Sequence, residues 1–598
     1  VTGGKSIGRS SNLPRSSDDG VVSSRGCSAL NVRCWLFHPR CWSGWKPDLP
    51  TNGRADLLVR TKFPRTSAAA FAVWIFLLPL FALLTACRPQ TPVPPDVLIV
   101  GQLAEPKSLD PQAATASNDF RIAANLYDGL VRFKDGTLEI GPALAESWSI
   151  SDGGLTYRFN LRREVRFHDG TPFTAESVRF HFDRILRDDH PFHDTGPFPL
   201  AFFFSNIQQI ETPDDFTLVF RLDEPFAPLL SNLASPSGLI VSPAAVKRWG
   251  KDFGRHPVGT GPFVFEEWEA NQAVRVRRND GYWSGSPGFR EVIFRPLTDE
   301  NARLTELLAG GCDLVVEVPP DIVTHFRKTP RFQVLEAAGP HLWFLIFNLK
   351  EGPFTDVRLR RAVNLAINKQ ALVHDLLQDT ATIPVGPIPE AFAWASDPTL
   401  HPYPYDPDEA RRLIREADME GATLTLYATE GGSGMLAPKQ MAAAIQADLA
   451  KVGLRVRIES FEWNTFLSRV NAGLAGKADM AEMAWMVNDP DTLPFLALRS
   501  EAWPDKGGFN SGYYSNPQID ELLAKARSSA DTTERGRLYR QVDRIVHDDA
   551  PWAFIASWKQ NAVATANLHG LKLQPSFLLH LKDAWKVASR SQSNEEAP

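Results

Sequence analysis

Several short runs carry side chains that could do chemistry, and most lack the neighbours that the chemistry needs. Gly4-Lys5-Ser6-Ile7-Gly8 fits the GxSxG pattern of a serine nucleophile, but no strand pattern precedes it and no helix pattern follows. Cys27, Cys34, His38 and Cys41 are zinc-binding types at spacings unlike those of common zinc sites. Asp188-Asp-His-Pro-Phe-His-Asp194 gathers carboxylates and imidazoles, a composition metals favour, and reads best as a solvated loop. Gly259-Thr-Gly-Pro262 suggests a phosphate loop but lacks the following Lys, so a β-turn is expected. After Cys87 there is no HExxH, no Walker A loop and no GxSxG. No enzyme chemistry, no cofactor and no bound metal are therefore expected.

Cys87 ends a different kind of pattern. Residues 68–87 form one uncharged apolar run, AAAFAVWIFLLPLFALLTAC, with Lys62 and Arg65 before it and Arg88 and a proline-rich stretch after it. Basic residues, an apolar core and small residues at a cut site make an export signal. Leu84-Thr85-Ala86-Cys87 resembles the lipobox of bacterial lipoproteins. That resemblance implies that the Cys87 thiol is lipidated and becomes the new N-terminus, tethering an exported body to a bacterial membrane. A retained transmembrane anchor is the alternative, since roughly 20 apolar residues span a bilayer. The expected division is a leader without domain character at 1–61, a signal peptide at 62–86 and a proline-rich tether at 87–96. The first methionine is Met419, so translation is expected to start at a non-Met codon near Val59, Leu57 or Leu58.

Composition supports an exported, multi-domain body. The 598 residues are 43 % hydrophobic and 22 % charged, ordinary for globular protein and too long for one core. Residues 1–86 hold 11 Lys and Arg against 4 Asp and Glu, so the overall charge of −6 becomes −13 beyond them. An acidic body does not suit nucleic acid. Of five cysteines only Cys312 lies beyond Cys87, which leaves no disulfide within the body.

The elements that must position any site follow from periodicity. Val97–Val100 is a short apolar strand. Thr156–Leu161 alternates and is expected to pair with Val165–Phe167 ahead of the Asp169-Gly170 turn. Thr174 can cap a helix with Val178, Phe182, Ile185 and Leu186 on one face. Phe354–Leu377 reads as helix, capped by Thr355, burying Ala362, Val363, Ala366 and Ile367 and restarting at Asn368. Leu424–Tyr427 is a strand, Met441, Ile445, Leu449 and Val452 form a helical stripe ending at Gly453, and Leu454–Ile458 alternates again. Strand, helix, strand makes a βαβ unit, so the fold class is α/β.

Residues 154–186, GLTYRFNLRREVRFHDGTPFTAESVRFHFDRIL, resemble the signature of the family 5 solute-binding proteins, the extracytoplasmic receptors of oligopeptide, dipeptide and nickel ABC importers. Glu105–Pro111, Tyr127–Val131, Pro142–Trp148, Val258–Phe265, Phe354–Asn368 and Tyr514–Leu523 match in order, and the resemblance runs from about Val97 to about Ala588. It implies a two-lobed periplasmic-binding-protein-like fold of type II with an extra inserted domain and a hinge. Lobe I would take 97–141, 256–341 and 552–588, the accessory domain 142–255 and lobe II 342–551, leaving a polar tail at 589–598. It further implies a monomer that captures peptide or a similar small solute and delivers it to permease subunits with their ATPase.

In peptide-binding relatives a Trp followed by an Asp-containing turn supplies pocket groups, and a carboxylate pairs with the peptide ammonium as a charge-assisted hydrogen bond. Here Trp485 is followed by Met-Val-Asn-Asp-Pro-Asp, about two residues short of the usual pattern, so the expected Asp position either falls at Asn488 or is lost, with Asp489 or Asp491 as substitutes. That departure counts against a peptide while leaving solute binding intact. Trp485, Trp343, Phe347 and Tyr513 are candidate aromatic walls, and Ser108 in the Glu105–Pro111 loop is a candidate by its position in relatives. A chaperone or sensor on the same fold, or a tethered hydrolase, are the competing readings, and peptide, nickel complex, glutathione and sugar all remain open as cargo.

Overall fold

The computed structural model describes residues 94–587 except 433. The expected leader, export signal, lipidation site at Cys87 and polar tail fall outside the described residues.

One sheet runs through both halves of the molecule. Its strands follow the order Arg455–Phe461, Thr423–Thr429, Met480–Met486, His341–Phe347, Trp552–Thr565, Leu314–Val316, Val97–Gln102, Glu291–Pro296, Ala273–Arg278, Phe263–Glu269. The 14-residue strand Trp552–Thr565 joins the halves. Its first residues pair with His341–Phe347, and its last pair with Leu314–Val316 and Phe332–Ala338. Two lobes thus share a hydrogen-bonded spine, and the expected two-lobed α/β fold is the one adopted. Parallel pairs (Val97–Gln102 with Glu291–Pro296, Thr423–Thr429 with Arg455–Phe461) mark the crossover units of each lobe.

The βαβ reading of 423–461 holds. Helix Pro438–Lys451 buries Met441, Ala442, Ile445 and Leu449 between two parallel strands. Helix Ala175–Leu186 starts where expected, with the Thr174 N–H donating to Ser177 Oγ at 3.2 Å. Two local expectations need correction. Thr156–Leu161 pairs with Ala145–Ser151 and Thr217–Leu222 in a four-stranded antiparallel sheet, not with Val165–Phe167. The latter makes a single bridge, Arg166 to Pro172, because the nearer partner is too short to satisfy the strand's backbone groups. The cap of the helix at 357–366 is Asp356, whose carboxylate accepts from the Arg358 N–H at 2.8 Å. Thr355 lies in a preceding 3-10 turn and donates to the Gly352 carbonyl. Asn368 does restart the helix, accepting from the Ala371 N–H.

Gly259-Thr-Gly-Pro262 is a site of close backbone approach. A Cβ on Gly259 or Gly261 would lie within 2.2 or 2.5 Å of Leu126 backbone atoms, so only glycine fits there. The His193 Nδ1 of the acidic–histidine loop bonds the Arg184 carbonyl, and no group of three metal-ligating side chains is spaced for an ion among the described residues. Cys312 is buried, and burial pushes its thiol up to about 12.

Strand Met480–Met486 carries one ionisable group into the lobe II core. Glu482 is fully buried, and one carboxyl oxygen accepts from the Thr429 N–H at 2.6 Å. Burial pushes this carboxyl up to about 8, against the pull of that N–H. Its pKa is raised on folding, so its full stability is present below the ordinary carboxylate value and is lost as pH climbs toward 8. Glu482→Gln is therefore expected to match the parent near pH 4.5 and exceed it by about 2–3 kcal/mol at pH 6.5, at about 1.4 kcal/mol per unit. Guanidinium unfolding at the two pH values checks this; an unchanged difference would show that Glu482 does not titrate in this range.

Candidate functional site

The candidate site is a cavity of about 270 Å³ lined by segments from both halves of the molecule, near the lower end of small-molecule sites at about 300–1,000 Å³. Thr115, Ser117 and Phe120 come from the start of helix Ser117–Leu126, and Phe133 from the strand Val131–Phe133. Leu200 and Phe203 belong to the turn before Ile207–Asp214, and Ser235, Pro236 and Ser237 follow helix Leu229–Ala234. Ser576, Phe577 and Leu578 come from the C-terminal segment. Pro340, Met486, Val487, Asn488 and Thr492 close the opposite side.

Local structure explains why these residues face it. Met486 is the last residue of its strand and is 45 % exposed. Phe577 takes φ +63°, which a bulky residue rarely adopts, and Arg121 Nε donates to its carbonyl at 3.2 Å. Helix Ser117–Leu126 begins without a side-chain cap, because Ala116 occupies the capping position.

Beside Asn488, the chain turns through a buried network. Asp489 Oδ1 accepts from Arg535 Nη2 at 2.5 Å and from the Asp491 N–H at 2.9 Å, and its Oδ2 accepts from Ser231 Oγ at 2.7 Å. Asp491 Oδ2 accepts from Arg527 Nη1 at 2.5 Å. Burial pushes Asp491 up to about 6, opposed by Arg527. Asn488 Nδ2 donates to Asn232 Oδ1 at 2.8 Å. Ser231 and Asn232 lie on helix Leu229–Ala234, so this loop is bonded to the segment that also supplies Ser235–Ser237.

Of the residues singled out from sequence, Asn488 lines the cavity. Trp485 is half-buried one residue before Met486 and packs edge-on against Phe509. Asp489 and Asp491 are neighbours of the site, but their oxygens are engaged by Arg535, Ser231 and Arg527. Trp343 and Phe347 correct the reading of them as walls. Strand His341–Phe347 is buried on both faces, and its odd positions point into the lobe II core, where Phe347 stacks on Phe354 at 4.4 Å. Tyr513 is buried against Trp503 and under Lys350, away from the cavity. Ser108 Oγ accepts from the Asp110 N–H and lies against Gly254, in a loop fastened by the buried Asp110–Arg184 pair.

Sequence reasoning missed the phenylalanines and hydroxyls. Met486 and Val487 lay inside the stretch already singled out, but Phe120, Phe133, Phe203 and Phe577 come from distant segments with no shared spacing.

A two-lobed fold with a cavity lined from both sides is the architecture of a solute-binding protein. The chain belongs to the bacterial extracellular solute-binding proteins, family 5, whose family model matches residues 139–505. It is similar to a di/tripeptide-binding protein 2 of Pseudomonas aeruginosa, 33 % identical over 499 residues, covering 80 % of this chain and 93 % of that one. It is also similar to a glutathione-binding protein of Pectobacterium atrosepticum, 31 % identical over 490 residues, with 80 % and 91 % covered. Among solved structures, the ABC transporter-associated periplasmic binding protein DppA of Helicobacter pylori, in complex with a peptide, superposes with a TM-score of 0.65 at 29 % identity, covering 82 % of this chain and 98 % of that one.

Proposed function

We propose that this protein is the solute receptor of an ABC importer, held at a bacterial membrane through lipid on Cys87. A small solute enters the cavity, the lobes 97–141 with 256–341 and 552–588, and 342–551, close on it by hinge motion, and the closed form docks on a permease driven by its ATPase. The segment 142–255 acts as the accessory domain. Closure needs a solute that binds the closed arrangement better than the open one, so the function is capture rather than catalysis. The observation that carries the reading is the cavity itself, whose wall joins Phe120 and Phe577 on one side to Met486 and Asn488 on the other. Membership of a family with peptide- and glutathione-binding relatives supports it.

Native mass spectrometry of the purified chain is expected to find one small molecule per chain, with a smaller radius of gyration in solution when it is bound. A protein that neither carries nor takes up any small solute would overturn the reading. For the tether, Cys87→Ala is expected to release the body from membrane fractions; persistence there in high salt would count against it.

A further inference from the structure

The cavity wall is made of aromatic, aliphatic, hydroxyl and amide groups, and among the described residues lining it there is no Asp, Glu, Lys, Arg or His. Of the ionisable groups behind the wall, Asp119, next to Phe120, is buried with its carboxylate accepting from the Lys107 N–H at 2.9 Å, and three more are matched by partners of opposite charge. Arg121, next to Phe120, pairs with Glu317 and bonds the carbonyl of Phe577. Asp489, next to Asn488, is held by Arg535 and Ser231, and Asp491, next to Thr492, by Arg527. Reaching any of these from the cavity would break a buried ion pair or, at Asp119, the hydrogen bond of a buried carboxylate.

A primary ammonium brought into such a space meets no carboxylate in the wall. Removing it from water costs several kcal/mol, while the faces of phenylalanine return about 0.5–2 kcal/mol. Donors, by contrast, are present. Thr115 and Ser117 offer hydroxyls, which suit a carbonyl, ether or amide oxygen. Phe120, Phe133, Phe203, Phe577 and the flexible Met486 suit an apolar or aromatic body. We infer that the solute held here has an apolar or aromatic body, an oxygen acceptor and no ammonium group. This rests on reading the cavity as the solute site.

The test titrates the purified chain with leucyl-phenylalanine and with N-acetyl-leucyl-phenylalaninamide, which share a body and differ in end charge. The capped form is expected to bind at least tenfold more tightly. Met486→Asp, at an exposed position that tolerates a charge, is expected to raise affinity for the free dipeptide at least tenfold by supplying the missing carboxylate. Equal or tighter binding of the free dipeptide to the parent would overturn the inference and leave solute capture standing. If neither probe binds, native mass spectrometry decides. A retained solute that reacts with an amine-specific acylating reagent overturns the inference, and one that does not react supports it. No retained solute would overturn the cavity's role as a solute site, and the inference with it.

Discussion

Arg535→Met is expected to destabilise the protein by about 3–5 kcal/mol, seen as a lower guanidinium unfolding midpoint. Arg535 and Asp489 are both almost completely buried, at 8 % and 1 % side-chain exposure, with 2.5 Å between them. Removing the cation leaves a carboxylate stranded away from water, and that uncompensated charge, more than the lost attraction, sets the magnitude. Ser231 and the Asp491 N–H would still donate to Asp489, but neutral donors do not replace a guanidinium. The double variant Asp489→Asn with Arg535→Met is expected to recover at least half of the loss, because it removes both charges. Equal destabilisation by single and double variants would show that packing around Arg535 dominates. Solute affinity is expected to fall with Arg535→Met, since the loop it fixes carries Asn488 into the cavity wall.

Trp343→Ala is expected to cost about 3–5 kcal/mol in stability, the usual range for emptying a large aromatic site in a core, and to leave the affinity of a bound solute within about twofold. Trp343 has no exposed surface and packs with Leu345 and Phe347 on the lobe II side of a strand covered on both faces. Its indole N–H has no partner among the described residues, so Trp343→Phe should be far milder, removing a buried unsatisfied donor along with part of the ring. Unfolding and calorimetric titration on the same variants separate the two roles. A tenfold loss of affinity at parent stability would return Trp343 to the solute site.

The contrast between Trp343 and Phe577 shows where sequence reasoning stops. Both are large aromatics in apolar surroundings, and nothing in the local pattern separates a core ring from a wall ring. The distinction depends on what covers the second face of a strand, which is set by helices from elsewhere in the chain. The same holds for Asp489 and Asp491. Their place after Trp485 was legible, but their availability was not, because Arg527 and Arg535 lie 36 and 46 residues away. Local partners were better read than distant ones. Thr174 begins its helix as expected, whereas the partners of Thr156–Leu161 come from both sides of it in the chain, and one of them lies more than 50 residues on.

By itself the sequence determined the α/β class, the family and the βαβ unit at 423–461, because periodicity, capping and ordered motifs are written in neighbouring residues. Only the tertiary structure decided that Phe120, Phe133, Phe203 and Phe577 meet Met486 and Asn488 around one space, and that Arg121, Asp489 and Asp491 behind it are held in ion pairs. Those facts depend on contacts between segments up to several hundred residues apart, and burial and ion pairing are properties of the packed whole rather than of any stretch of it.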